Sequence, residues 1–287
     1  MTRSIGTLLA CLLVSGFCLA QRGNSRVRVQ QFSTGGYTAP AINTNRNGVP
    51  EWPRDPEFPR DDFTFVRVLY NPYNGYGRGK WETDWPDADL NFSFRLQQLT
   101  SIRANPDPII LELNDPRIFD YPFLYIIEPG GWRGQPGTGL NLSEEEVFAL
   151  RTYCDQGGFV LVDDFWGEDE WAEFYRELKK VFPDREPVDL DLSHPIFNCV
   201  YELQERPQVP SIGVAMSGLS YERPDAQEVH YRAIYDDKGR PQFIIGHNTD
   251  LGDGWEREAE NVQYFKEYSE PKAYPMGINI LFYAMSH

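Results

Sequence analysis

The chain is poor in the residues that most enzyme and metal signatures need. Its four histidines (His194, His230, His247, His287) fall at no zinc spacing, and His-Glu-x-x-His and Cys-x-x-Cys are both missing. There is no P-loop and no Gly-x-Ser-x-Gly, and no glycine-rich fingerprint opens a helix after the first strand. These absences argue against zinc chemistry, nucleotide hydrolysis, serine-hydrolase chemistry and nicotinamide or flavin dinucleotide binding. Basic residues are also scarce: 27 against 43 acidic ones, a net charge of −16. A field of that sign repels phosphate backbones, so nucleic acid is not an expected partner. Beyond the first 20 residues no apolar run is long enough to span a bilayer.

What is present starts with an export signal over residues 1–20. Arg3 gives the positive start, Ile5 to Leu19 is mostly apolar, and Cys18-Leu19-Ala20 ends on small residues. The expected location is periplasmic or secreted. Removal of this segment would take Cys11 and Cys18 with it and leave Cys154 and Cys199. Those two can form one bridge or stand as two buried small hydrophobes, and the second reading is favoured. Residues 21–61 read as a flexible basic arm, with Arg22, Arg26, Arg28 and Arg46 and no acid between Gln21 and Pro50. It serves as a spacer, or it docks on an acidic partner or on the domain itself.

From residue 62 to 287 the pattern is that of one α/β domain. Residues 63–70, 109–113, 123–127 and 159–162 read as strands, and 123–127 has no polar alternation, as a strand buried on both faces has none. Helices are expected between them: one capped by Asp89, one opened by the Ser143–Glu146 capping box and ended by Gly157-Gly158, and one carrying Trp171, Phe174, Leu178 and Val181. The alternation predicts a parallel sheet with helices on both faces. Tyr231–Tyr235 and Gln242–Gly246 flank Asp236-Asp237-Lys238-Gly239 and predict an antiparallel hairpin near the C-terminus. Met276–Met285 is expected to be a packing helix.

In such sheets ligands sit beyond the carboxyl ends of the strands. Four segments there combine carboxylates with Trp, three of them also with Gly, and together they suggest one acidic, Trp-rich rim. The first holds Asp84, Trp85 and Asp87; the second holds Glu128 and Trp132. The third holds Asp163, Asp164 and Trp166; the fourth holds His247, Asn248, Asp250, Asp253 and Trp255. Carboxylates with an Asn carbonyl suit calcium or magnesium, with Asp164, Asn248, Asp250 and Asp253 as candidate ligands. Trp faces and carboxylates also suit a sugar, and two carboxylates across a cleft can cleave a glycoside. The structural alternatives are equally concrete. The Asp residues can serve as caps and turn anchors, the Trp residues as packing lids, and His247 as a hydrogen-bonded core residue.

Five strings in order carry a resemblance. They are Trp85-Pro86-Asp87-Ala88-Asp89, Tyr121-Pro122-Phe123-Leu124-Tyr125, Gly157-Gly158-Phe159 with Asp163-Asp164, residues 248–255, and Gly277-Ile278-Asn279. Over about residues 62–287 the chain resembles the bacterial domain-of-unknown-function family 4159 (DUF4159). The resemblance implies a flavodoxin-like layout similar to class I glutamine amidotransferases. It implies no activity. The nucleophile that those enzymes carry on a strand-to-helix elbow has no counterpart, since the two candidate elbows hold Glu128 and Asp163-Asp164. The function expected is a non-catalytic module that binds a ligand or protein at the rim. The alternatives are a carboxylate- or metal-dependent hydrolase acting on glycans, and a structural component of a cell-envelope assembly. The expected partners are accordingly a glycan or an envelope protein.

Overall fold

Seven strands form one sheet in the order β2-β1-β3-β4-β7-β6-β5. They are β1 (Val66–Leu69), β2 (Ile109–Glu112), β3 (Phe123–Ile127), β4 (Phe159–Asp163), β5 (Val188–Asp189), β6 (His230–Tyr235) and β7 (Pro241–His247). The computed structural model describes residues 49–50, 52–54, 61–70, 79–131 and 138–287. The export signal at 1–20 with Cys11 and Cys18, most of the arm at 21–61, and Trp132 lie outside the described residues.

The first five strands in that order run parallel, and β6 runs antiparallel to both β7 and β5. The expected mostly parallel sheet with a C-terminal hairpin is therefore present. The hairpin turn is built by Asp236, whose Oδ1 accepts from the N–H groups of Lys238 and Arg240 at 2.9 and 2.8 Å. Its second strand does not sit at the edge. β7 inserts beside β4, Val160 pairing with Phe243, and so lies inside the sheet. That position explains why every residue of β7 is buried.

The helices divide between the two faces. On one face lie α1 (Asp87–Leu99), α5 (Leu251–Glu256) and α7 (Tyr274–Ser286), packed on Phe65, Tyr125 and Phe159. On the other lie α2 (Glu144–Asp155) and α3 (Gly167–Val181), packed on Val68, Leu124 and Val160. α4 (Ile212–Met216) is a short helix before the hairpin, and α6 (Val262–Tyr264) runs through a π-helical stretch, Phe265–Ala273, into α7. Pro271 sits in that stretch, where a proline cannot extend an ordinary i→i−4 ladder. The α2 capping box forms in both directions, with Glu146 N–H on Ser143 and Ser143 N–H on Glu146.

The start of α1 departs from expectation. The helix begins at Asp87, Pro86 holds the cap position without a side-chain bond, and Asp89 lies within the first turn. Asp89 instead faces Arg67 of β1 in a pair with no exposure on either side chain. Near the end of the arm, Trp52 donates to the Ala104 carbonyl at 2.6 Å and Val49 is buried, so that part packs against the domain.

Candidate functional site

Polar residues gather where β1, β3, β4 and β7 end. The strand order reverses at β1 and β3, with β2 on one side and β4 on the other, which is where such sheets open a crevice. Four non-glycine residues around it adopt left-handed backbone: Asp84 (φ 60°), Glu128 (47°), Asp164 (54°) and Asn248 (61°). Each such residue costs on the order of 1 kcal/mol and persists only where its surroundings fix it. The fixings are specific. The Glu128 N–H bonds the Asp163 carbonyl at 3.0 Å, and the Tyr70 hydroxyl donates to the carbonyls of Ile127 and Glu128. The Asp164 N–H bonds the Thr249 carbonyl at 3.1 Å, and the Asn248 N–H bonds the Phe165 carbonyl at 2.9 Å. Arg67 Nη1 donates to the carbonyls of Trp81 and Thr83 at 3.0 and 2.6 Å, which sets the turn that carries Asp84.

These turns surround a cavity of about 690 Å³. Asp84, Glu128, Asp164, Trp166, Asp250 and Asp253 line it, so six of the residues expected at the rim share one space. One oxygen each from Asp84, Asp164 and Asp250 lie within 4.8 Å of one another. Burial, and after it neighbouring carboxylates, hold all three carboxyls well above the usual range. Asp253 and Glu256 act on Asp84, Glu128 and Asp84 on Asp164, and Asp164 and Asp84 on Asp250.

Several of these groups also hold the local fold. Asp250 caps α5 by accepting the Asp253 N–H at 2.6 Å. Asp164 Oδ1 accepts from Trp166 Nε1 at 3.0 Å. Asp253 is taken on both sides, by the Ile212 N–H at 2.5 Å and Arg257 Nε at 3.1 Å. Glu128 accepts from Thr83 Oγ1 at 2.7 Å and pairs with Lys80. The backbone of α5 comes so close that a Cβ on Gly252 would stand 2.5 Å from Asp84 Oδ2, so a larger residue there would have to displace the Asp84 carboxylate.

Among the described residues, the other expected ones do not line the cavity. Asp163 is fully buried behind it, accepting the Gly252 N–H at 2.9 Å and the Tyr125 hydroxyl at 3.0 Å. Burial raises its pKa to about 6. Asp87 stands in the first turn of α1, and the Trp85 ring lies beside the Arg67 guanidinium at 5.7 Å. Trp255 is a core residue with no exposure, 4.6 Å from Phe92, and not part of any rim. Asn248 spends its amide on the fold: Oδ1 accepts the Gly167 N–H at 2.8 Å and Nδ2 donates to the Glu228 carbonyl at 2.7 Å. Sequence reading missed Lys80, Thr83, Glu170, Glu222, Arg223 and Arg257, which also line the cavity. Its basic groups are engaged, Lys80 with Glu128, Arg223 with Glu170 and Arg257 with Asp253.

His247 is structural and neutral. Its Nε2 faces the Gly167 carbonyl at 3.1 Å and so carries the proton, leaving Nδ1 to accept from Arg232 at 3.1 Å. Burial lowers its pKa to about 3. The unfolded chain takes up this proton near pH 6.5 while the folded chain does not, so the stability His247 confers is lost as pH falls from about 6.5 towards 3. The expected loss is about 1.4 kcal/mol per pH unit. Urea midpoints at pH 7 and pH 5 should therefore differ less in His247→Gln than in the parent. Equal differences would show that His247 does not titrate in this way.

Cys154 is a buried free thiol and Cys199 an exposed one. Among the described residues no helix is long and apolar enough to cross a membrane. No curated protein matches the chain. The model of the family described as "Domain of unknown function (DUF4159)" matches residues 64–285, a span from β1's approach to the last turn of α7. The chain belongs to this family.

Proposed function

We propose that the chain is an exported binding module that takes a neutral, hydroxyl-rich ligand of the glycan type in the cavity at the carboxyl ends of the strands. The observation that carries this reading is the convergence of Asp84, Glu128, Asp164 and Asp250, from four distant parts of the chain, on one open space. Carboxylates accept hydrogen bonds from hydroxyls, and their excess repels anionic ligands because the basic groups of the wall are already paired. Export rests on residues 1–20 of the sequence.

One oxygen each from Asp84, Asp164 and Asp250 lie within 4.8 Å of one another, a cluster that can meet a single ligand group together. Glu128 and Asp164 occupy sharp turns after β3 and β4 in left-handed backbone, the kind of turn on which hydrolases mount a nucleophile. Here the turns present carboxylates.

The test is capture on an array of neutral, acidic and basic glycans, with the parent chain and Asp164→Asn. Asparagine keeps an acceptor for Trp166 Nε1, so the variant is expected to fold. Capture of neutral glycans by the parent, weakened at least tenfold in the variant, is the expected result. Capture confined to acidic glycans, or unchanged in Asp164→Asn, would overturn the reading.

A further inference from the structure

We propose that Asp84, Asp164 and Asp250 hold one hard divalent cation, calcium or magnesium, which presents open coordination positions to a ligand in the cavity. This rests on the reading of that cavity as the ligand site, and it names what the ligand meets there.

The wall contains two carboxylate triads that share Asp84. One is Asp84, Asp164 and Asp250; the other is Asp84, Asp253 and Glu256, and within each the chosen oxygens lie within 4.8 Å. The second triad already has a cation. Arg257 Nε lies 3.1 Å from Asp253 Oδ1 and 2.7 Å from Glu256 Oε2. In the first triad, Asp164 is met by Trp166 Nε1 and Asp250 by the Asp253 N–H, which are neutral donors. The groups acting most strongly on Asp164 and Asp250 are other carboxylates.

A separate observation points to a ligand. Asp84 is only 9 % exposed, and its Oδ2 meets no hydrogen-bond donor. Burying an unsatisfied carboxylate oxygen among like charges is costly, and a positive ion is what relieves it. The left-handed turn at Asp84, fixed by Arg67, holds this carboxylate where the two triads meet, within reach of Asp164 and Asp250 as well as of Asp253 and Glu256.

The donor set selects the ion. The three side chains offer oxygen alone, with no imidazole or thiolate, which suits calcium or magnesium over zinc or copper. Three carboxylates leave at least three positions of a six- to eight-coordinate ion for water and ligand hydroxyls. Asn248 and Asp253, nominated as ligands from sequence, have their polar atoms engaged with Gly167, Glu228, Ile212 and Arg257.

The test is calorimetric titration of the chelator-stripped full chain with calcium, magnesium and manganese. One ion per chain is expected, with a Kd at or below about 1 mM, the range of weak extracellular sites. Asp84→Asn and Asp164→Asn should each weaken it at least tenfold, and Glu256→Gln should leave it unchanged. No binding by the parent chain at about 10 mM of any of the three ions, or loss in Glu256→Gln alone, would overturn the proposal. Glycan capture repeated in EDTA separates the two readings. Capture that survives EDTA in a chain that binds no ion removes the cation and keeps the cavity. Cation binding without capture of any neutral glycan keeps the ion and removes that ligand class.

Discussion

Arg67→Met is expected to destabilise the protein by about 3–5 kcal/mol, because it strands a carboxylate in the core. Arg67 lies in β1 with no exposure and grips Asp89 of α1 through two nitrogens, Nε at 3.1 Å and Nη2 at 2.5 Å. Its ring neighbours are Tyr125 at 5.1 Å and Trp85 at 5.7 Å. Burial is the largest single influence and works against the charge of Arg67, but Asp89, Tyr125 and Asp84 together outweigh it, and the guanidinium stays protonated. With methionine in place, Asp89 must take up a proton or unfold its surroundings. The double variant Arg67→Met with Asp89→Leu should recover most of the loss, since an apolar pair of similar volume replaces a buried ion pair at little cost. It should not recover the cavity, because the guanidinium that binds the carbonyls of Trp81 and Thr83 is gone and the turn at Asp84 is loosened. Urea unfolding of the three proteins checks the first claim, and cation titration checks the second. A double variant as unstable as the single one would show that Arg67 contributes something other than the counter-charge of Asp89.

Trp255→Ala is expected to cost a similar amount, about 3–5 kcal/mol, for an unrelated reason. The indole fills the space between α1, α5 and the sheet, with ring centroids of Phe92, Tyr125 and Phe65 at 4.6, 5.9 and 6.3 Å. Its removal leaves a void that its aromatic neighbours can only partly fill. For a domain of this size the melting temperature should fall by roughly 10 °C. Trp255→Phe should recover much of that and bind ligand as the parent does, because Trp255 does not reach the cavity. Trp166→Phe is the contrasting case: it keeps an aromatic ring but removes the Nε1–H that Asp164 accepts. Weaker binding in Trp255→Phe than in Trp166→Phe would invert the assignment of the two tryptophans.

These two residues also mark the limit of what the sequence discloses. The buried strands were legible because a parallel strand covered on both faces has no polar alternation, as in Phe123–Ile127. The site segments were legible because Asp, Glu and Gly cluster where those strands end. Arg67 was not, since a lone arginine inside residues 63–70 looks like a tolerated polar position until α1 brings Asp89 over it. Trp255 misled because a tryptophan beside Asp253 resembles a rim residue, and which side of a six-residue helix turns inward depends on the partner helix. The pairings of Lys80 with Glu128 and of Arg223 with Glu170 join positions far apart in the chain, and nothing in composition or period reveals them. Arg257 with Asp253 is an i, i+4 pair, whose partner is visible in the spacing once a helix is assigned there. Asn248 illustrates the opposite error: its residue type suits a metal, but its amide is consumed by Gly167 and Glu228.

The place of β7 has a consequence for how the molecule comes into being. The last strand in the chain is an interior one, flanked by β4 and β6. Until residues 241–247 have been delivered, β4 presents a bare edge and Asp164 has no Asp250 opposite it. An N-terminal fragment that stops before this strand would thus have neither a closed sheet nor a finished cavity, and the exposed edge would invite pairing with other chains. The strand leads directly into Asp250 and Asp253, so a chain cut before residue 241 loses the centre of its sheet and one wall of the cavity together.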